Sequence, residues 1–537
     1  MDTRLRILIM RAACLSALPF AASTFAQPLP AGSEFQVNAT SAGWQSPSAA
    51  AFDSSGNFVT VWQSGGSGAA GSQDTDVFLQ RWNADGTLRG AETRVNTTVV
   101  GCQGSPAVAS APDGSFVVAW QSQGQDGDGW GIFAQRFDRT GAPVGSEIAV
   151  NQSTAGDQQS PAVAYDPSGA FFTVVWESSG SGTTGWDVLA RQIDASTGAP
   201  LAAEVRLNAA SAGDQRHPAL ALLPSGGLAV AWEGPDASGT GIFLHAFSST
   251  LTSTSAEVSA NAVTAGFQAH PSLGCDDSGN CVVAWESSGQ DGSGSGIYAR
   301  RFDRSLAPLT SAEFRVNTTT AGTQAAPVVA SFLSGDFFVS WESASPDGSG
   351  STVYAQAYDF HTQPQGGEQR VNTFLSGDPQ RAQLAAGTLG SLLALWQSTG
   401  QDGDGAGVFA QRFALPGWRY YSLTPCRLYD SRSSTPIGSG IPRTLPAAGT
   451  CGIPASARAL SVNLTVTAPT NAGNLVLYPS DAAAPLASLI NFSAAQTRSN
   501  NALLTLARSG AGSATISAVV LGSGNVQLIV DVNGYFQ

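Results

Sequence analysis

The stretch Phe116-Val-Val-Ala-Trp120-Gln121 decides the fold, because the chain repeats it. It returns as FVTVWQ ending at Gln63, FTVVWE at Glu177, LAVAWE at Glu233, CVVAWE at Glu286, FFVSWE at Glu342 and LLALWQ at Gln397. The seven tryptophans Trp62, Trp120, Trp176, Trp232, Trp285, Trp341 and Trp396 stand 53 to 58 residues apart, counted from position to position. A fixed period of this size marks a repeat architecture. One unit reads outward from Trp120. Pro106 to Ser110 is a run of small residues, and Pro112-Asp-Gly114 is a turn. Phe116 to Trp120 is wholly apolar, and Gly124 to Gly129 is a second turn. Ile132 to Phe137 is a third apolar run, and Glu147-Ile-Ala-Val-Asn151 closes the unit. Four short strands with turn signals and no helical periodicity predict an all-β repeat.

The four strands differ in a way that predicts their arrangement. The first is small, the second bulky without polar alternation, the third half apolar, and the fourth alternating. Strands converging on an axis admit only small side chains, and strands covered on both faces read as continuous apolar runs. The expectation is a seven-bladed β-propeller over 34–417. The chain enters with Glu34-Phe-Gln-Val-Asn38, the fourth-strand motif that recurs from Glu92, Glu147, Glu204, Glu257, Glu313 and Glu368. The last unit stops after a third strand, Val408 to Phe413. The segment 34–38 is therefore expected to complete the last blade and seal the ring, protecting open edges.

Composition narrows the function. The 537 residues carry a net charge of −14 and no lysine. Phosphate binding needs clustered cations, so nucleic acid is not an expected partner, and lysine-based covalent chemistry is excluded. Arg4, Arg6 and Arg11, a short apolar stretch and Thr24-Phe-Ala26 predict an export signal over 1–26, with 27–33 as linker. The expected protein is secreted, bacterial, monomeric and without a membrane span. Export allows disulfides. Cys275–Cys281 across a hairpin and Cys426–Cys451 across a longer loop are the expected pairs, leaving Cys102 over.

Two sets of residues are candidates for function. The loop after each tryptophan is rich in Asp and Gly, and Asp126/Asp128 and Asp402/Asp404 have the spacing of oxygen ligands for Ca²⁺; the competing reading is Asp-Gly turns that need positive φ. A glutamine precedes each first strand but the last: Gln45, Gln103, Gln158, Gln215, Gln268 and Gln324. With His217 and His270 of adjacent units, Gln103, Gln158, Gln215, Gln268 and Gln324 are expected to form one binding face. The competing reading has each glutamine capping backbone groups, and the two histidines as a metal pair are the lesser alternative. No G-x-S-x-G elbow, H-E-x-x-H or phosphate loop is present.

Residues 418–537 carry other alternating runs, among them Ala459 to Val466 and Val526 to Asn533, and a β-sandwich is expected. Thr424-Pro-Cys-Arg-Leu-Tyr-Asp-Ser-Arg432, Cys451-Gly-Ile-Pro454 and Val530-Asp-Val-Asn-Gly-Tyr535 resemble a C-terminal module of secreted bacterial proteins. The stretch Gln290 to Asp303 resembles the E-x-x-V-N … Q-D-G-S-G-x-G-I-Y-A-Q-R-F-D repeats of bacterial extracellular, calcium-rich surface proteins. Neither resemblance implies an enzyme. The expected function is non-enzymatic binding or adhesion through one propeller face, the partner an extracellular protein or glycan and Ca²⁺ a possible cofactor. The alternative is a carbohydrate-active propeller, hydrolase or lectin. Variation between units reads as mostly small for small, which favours binding without catalysis.

Overall fold

The computed structural model describes residues 28–66, 74–182, 184–210, 212–344, 350–387, 390–414, 420–454, 457, 459–480, 488–507 and 514–536. The predicted export signal lies outside the described residues. The chain divides into two compact units, 1–416 and 417–537. Strands and turns make up both, and no helix among the described residues is long and apolar enough to cross a membrane.

The first unit is all-β and propeller-like. We number its repeats 1 to 7 by their tryptophans. In repeat 3, for example, strands Gln158–Tyr165, Phe171–Ser178, Asp187–Asp194 and Val205–Arg206 form one antiparallel four-stranded sheet in chain order. Repeats 2, 4, 5 and 6 do the same. Repeat 7 supplies Gln380–Ala386, Ser391–Thr399 and Ala406–Ala414, and the N-terminal segment pairs with the last of these, Phe35 opposite Ala410 and Leu29 opposite Ala414.

The core of this unit lies between repeats. All seven tryptophans are 0–1% exposed. Each clusters with apolar side chains of the repeat before it. Trp120 packs with Val59, Val61 and Val77, Trp176 with Val117, Ala119 and Ile132, and Trp232 with Val175 and Val188. The series returns on itself, since Trp62 packs with Leu393, Leu395 and Val408 of repeat 7. Alternate residues of a strand point to opposite faces, so Phe116, Val118 and Trp120 serve one interface while Val117 and Ala119 serve the next. This is why the second strand shows no polar alternation.

The E-x-x-V-N motif has a division of labour. Its Val is core, with Val37, Val95, Val150, Val316 and Val371 all buried. Its Asn is a polar staple. Asn151 Oδ1 accepts the N–H of Ile132 at 2.8 Å, and its Nδ2 donates to Gln158 Oε1 at 3.0 Å and Asp126 Oδ2 at 2.9 Å. Its Glu reaches the previous repeat and accepts the backbone N–H just after that repeat's Asn. Glu92 caps Ala39, Glu147 caps Thr97, Glu204 caps Gln152 and Glu257 caps Ala209. Glu313 caps Ala262, Glu368 caps Thr318, and Glu34 caps Thr373. The last bond joins residues 339 apart in sequence.

The second unit has two sheets. One contains Tyr420–Asp430, Asn525–Phe536, Ala459–Thr467 and Arg498–Thr505, and the other contains Arg443–Pro446, Thr515–Gly522, Gly473–Pro479 and Ile490–Phe492. Leu460, Leu464 and Val530 of the first sheet and Leu475, Ile516 and Val520 of the second belong to one buried cluster. Both expected disulfides are present, Cys275–Cys281 and Cys426–Cys451, and Cys102 takes part in neither.

Candidate functional site

The first strands of all seven repeats line two open concavities, one at each end. The concavity at the strand starts measures about 610 Å³ and is bordered by Pro47, Ser105, Ser160, His217, His270, Ala326 and Arg381. The six after Pro47 occupy one repeat position, the bulge where pairing with the second strand shifts register, whereas Pro47 itself pairs with Trp62. These six have positive φ, from 48° at Ser105 to 55° at Arg381. A non-glycine residue there carries strain that surrounding structure must hold. The residue after the tryptophan of repeats 1 to 6 supplies the hold. Gln63 Oε1 accepts the N–H of Ser105 at 3.0 Å, Gln121 Oε1 that of Ser160 at 3.0 Å, Glu177 Oε2 that of His217 at 2.8 Å and Glu233 Oε2 that of His270 at 3.2 Å. Glu286 accepts from Ala326, and Glu342 from Arg381.

The mouth is therefore unequal around its rim. Repeats 1, 2 and 7 carry Gln63, Gln121 and Gln397; repeats 3 to 6 carry Glu177, Glu233, Glu286 and Glu342. In repeats 3, 4 and 5 the bulge side chain also returns to its own repeat's acid. Ser160 Oγ donates to Glu177 at 3.1 Å, His217 Nδ1 lies 2.5 Å from Glu233 Oε1, and His270 Nδ1 lies 3.3 Å from Glu286 Oε2. Arg216 bonds Glu177 at 2.9 Å and lays its guanidinium over the Trp186 ring, 4.1 Å from the centroid. The His217 and His270 rings stand 5.2 Å apart.

These contacts move the acidities apart. Burial works against the charge of Glu233, but the hydrogen bond and charge of His217 outweigh it and hold the carboxyl below its ordinary value. Burial likewise opposes Glu286, and His270 and Ser295 bring it down. The bond to Glu286 lifts His270 above its ordinary value. Burial dominates at Glu342 and pushes its carboxyl up.

Several sequence expectations need correction. Gln103, Gln158, Gln215, Gln268 and Gln324 are at most 2% exposed and cannot form a binding surface. Four of them, Gln103, Gln158, Gln268 and Gln324, accept from the motif asparagine and donate to the carbonyl three residues back; Gln215 instead accepts the Trp232 indole N–H at 3.0 Å. Only His217 and His270 of the expected face are open, their side chains 41% and 53% exposed. Variation at the mouth is also not small for small, since it exchanges Gln for Glu and Ser or Ala for His or Arg. Sequence reasoning missed Glu177, Glu233, Glu286, Glu342, Arg216 and Arg381. The signal was the unequal use of Gln and Glu after tryptophan, visible in the seven repeated stretches.

The acidic loops do local work. Asp126 Oδ2 serves Asn151 and Asp128 Oδ2 accepts the Gly156 N–H at 3.1 Å. A Cβ on Gly131 would meet the Asp126 carboxylate at 2.4 Å, which fixes glycine five residues after the aspartate. Asp402 Oδ1 and Asp404 Oδ1 accept backbone N–H groups of their own loop, while Asp402 Oδ2 is buried without a hydrogen bond. Among the described residues no three His, Cys, Asp or Glu side chains are gathered as a metal cage.

The chain matches no protein-family model, and no curated protein matches it. Among solved structures it is similar to the polysaccharide lyase Uly1, with 10% identity, 73% of this chain and 95% of that chain covered, and a TM-score of 0.46. It is similar to a protein of unknown function from Dyadobacter fermentans, with 9% identity, 71% and 98% covered and a TM-score of 0.43. The β-propeller domain of the Trilobed protease from Pyrococcus furiosus gives 8% identity, 69% and 94% covered and a TM-score of 0.39. These likenesses are too loose to carry any argument about binding or activity.

Proposed function

We propose that the first unit is a closed seven-bladed ring on an exported bacterial protein, and that it binds an extracellular ligand at the mouth bordered by His217, His270 and Arg381. The cycle of glutamate caps, with Glu34 returning to Thr373, supports closure. One observation carries the binding reading: within a repeated scaffold, imidazoles occupy the same rim position of the neighbouring repeats 4 and 5, and a guanidinium occupies it in repeat 7. Structural duty alone is met by Ser105 and Ala326 at that position, so His217, His270 and Arg381 are additions to the scaffold. The ligand this rim suits is polar and hydroxyl-rich, a glycan rather than an apolar molecule, because two open imidazoles and a guanidinium backed by carboxylates favour hydrogen bonding. The C-terminal module is read as a β-sandwich accessory to this binding unit.

A second reading has a specific observation behind it. Glu342 is pushed up while Glu286 of the adjacent repeat is held down. Carboxyl pairs with separated acidities are the arrangement glycoside hydrolysis uses, one protonated and one ionised. The two readings are separated by a glycan array read with and without EDTA, followed by hydrolysis assays on any glycan retained. Binding that the pair H217A and R381A abolishes supports the first reading. Turnover lost in E342Q with binding kept supports the second. An empty array in both conditions removes both.

A further inference from the structure

We propose that His217 and His270 together hold one divalent transition-metal ion at the mouth, through their Nε2 atoms. The inference rests on the reading of this mouth as the binding site only for what completes the coordination shell. Each Nδ1 is turned to a glutamate, His217 to Glu233 at 2.5 Å and His270 to Glu286 at 3.3 Å. Nε2, on the far side of each ring, is then turned away from the acid, and neither Nε2 has a hydrogen-bond partner among the described residues. A carboxylate on one imidazole nitrogen fixes the tautomer and raises the basicity of the other, which is the support that metal-binding histidines ordinarily have.

The spacing fits. An ion about 2.0–2.1 Å from each nitrogen lies roughly 3.2 Å from each ring centre, and a near-tetrahedral angle then sets the centres roughly 5 Å apart. The observed separation is 5.2 Å, with the rings tilted by 46°. Both histidines sit at the same repeat position with φ of 51°, each N–H held by the preceding repeat's glutamate. The rings are thus set side by side before any ion arrives. The charge also fits: the rim's four glutamates outnumber Arg216 and Arg381, so a dication meets surplus negative charge. Two imidazoles select nitrogen-preferring ions, Cu²⁺ foremost and then Zn²⁺ and Ni²⁺, over Ca²⁺ and Mg²⁺. Water, or hydroxyl and carboxylate oxygens of the bound ligand, would fill the remaining positions.

The test uses untagged, EDTA-stripped full-length chain titrated with CuCl₂ and ZnCl₂ by calorimetry, with CaCl₂ as control. The expected result is one equivalent of Cu²⁺ or Zn²⁺ per chain, lost in H217Q and in H270Q and kept in H361Q. Glu233→Gln and Glu286→Gln, which leave both ring ligands in place, are expected to weaken binding by about 10–100-fold. Both histidines are exposed, so urea midpoints near wild type are expected and certify the fold of the variants. No uptake of either ion, uptake unchanged in H217Q and H270Q, or uptake lost in H361Q overturns the proposal. The glycan array read on EDTA-treated protein reports the ligand independently, so an empty array and an absent ion are separate failures.

Discussion

The two sides of the mouth make the same backbone bond with different chemistry. In repeats 1 and 2 the bulge N–H of the next repeat is accepted by a neutral amide, Gln63 or Gln121, at 3.0 Å. In repeats 3 to 6 the same N–H meets a carboxylate, and in repeats 3 to 5 a second donor is present: Ser160 Oγ, His217, His270, or Arg216 from the neighbouring repeat. The amide side shows what the scaffold needs. The acidic side shows what has been added, and the addition is electrostatic. The bond of Glu34 to Thr373 and the pairing of strand 406–414 with the N-terminal segment belong to repeat 7 on the amide side.

The largest effect is expected from breaking what both sides share. Deleting Glu34 to Asn38 removes a strand pairing, the Thr373 cap and the Asn38 bond to Val408. Differential scanning calorimetry of this deletion should show the propeller unit melting well below wild type; an unaltered melt refutes closure. Next, W120A and W285A, one from each side, should each cost about 3–5 kcal/mol in urea unfolding, since both indoles are fully buried between repeats. Equal costs would confirm that the scaffold is indifferent to the mouth, and a much larger cost on the acidic side would break that division.

A smaller effect separates the sides directly. E177A leaves Arg216 and the His217 N–H without their partner, and Glu177 is 1% exposed. It is expected to cost about 2–3 kcal/mol in urea unfolding, less than a wholly buried pair because Arg216 still reaches solvent. Q121A removes one neutral acceptor from Ser160 and should cost about 1 kcal/mol. E177Q should fall between them. If Q121A costs as much as E177A, the added charge has no structural weight.

These comparisons also show what the sequence could convey. The tryptophan period and the apolar second strands exposed the repeat, because burial on two faces leaves no polar residue to alternate. The N-terminal Glu34-to-Asn38 motif exposed its pairing with strand 406–414, because a missing fourth strand must come from elsewhere. The polar layer was harder to read. Gln158 and its counterparts look like surface residues in composition, yet they are buried because Asn151 needs an acceptor seven residues away. Glu177, Glu233, Glu286 and Glu342 were hidden by their likeness to Gln63 and Gln121: both accept the same N–H, and only geometry reveals the extra donors. The stacking of Arg216 on Trp186 joins residues 30 positions apart in sequence, from adjacent repeats.

The smallest expected effect is a pH signature confined to the acidic side. His270 is raised above its ordinary 6.5 by Glu286, so its contribution is complete below 6.5 and fades as pH rises through the raised value. Glu233 and Glu286 are held below their ordinary 4.5, so their contributions are complete above 4.5 and fade as pH falls through the lowered values. Both are present together between about 4.5 and 6.5. Glu342, raised by burial, acts in the opposite sense and strains the fold less as pH falls. Wild type minus H270Q stability, followed by urea midpoints across pH, should therefore be greatest in that mildly acidic window and shrink toward alkaline pH. The difference between wild type and Q121A should stay flat across the same range, because an amide does not titrate. A flat H270Q difference would mean that the imidazole–carboxylate pair adds nothing that the amide side lacks.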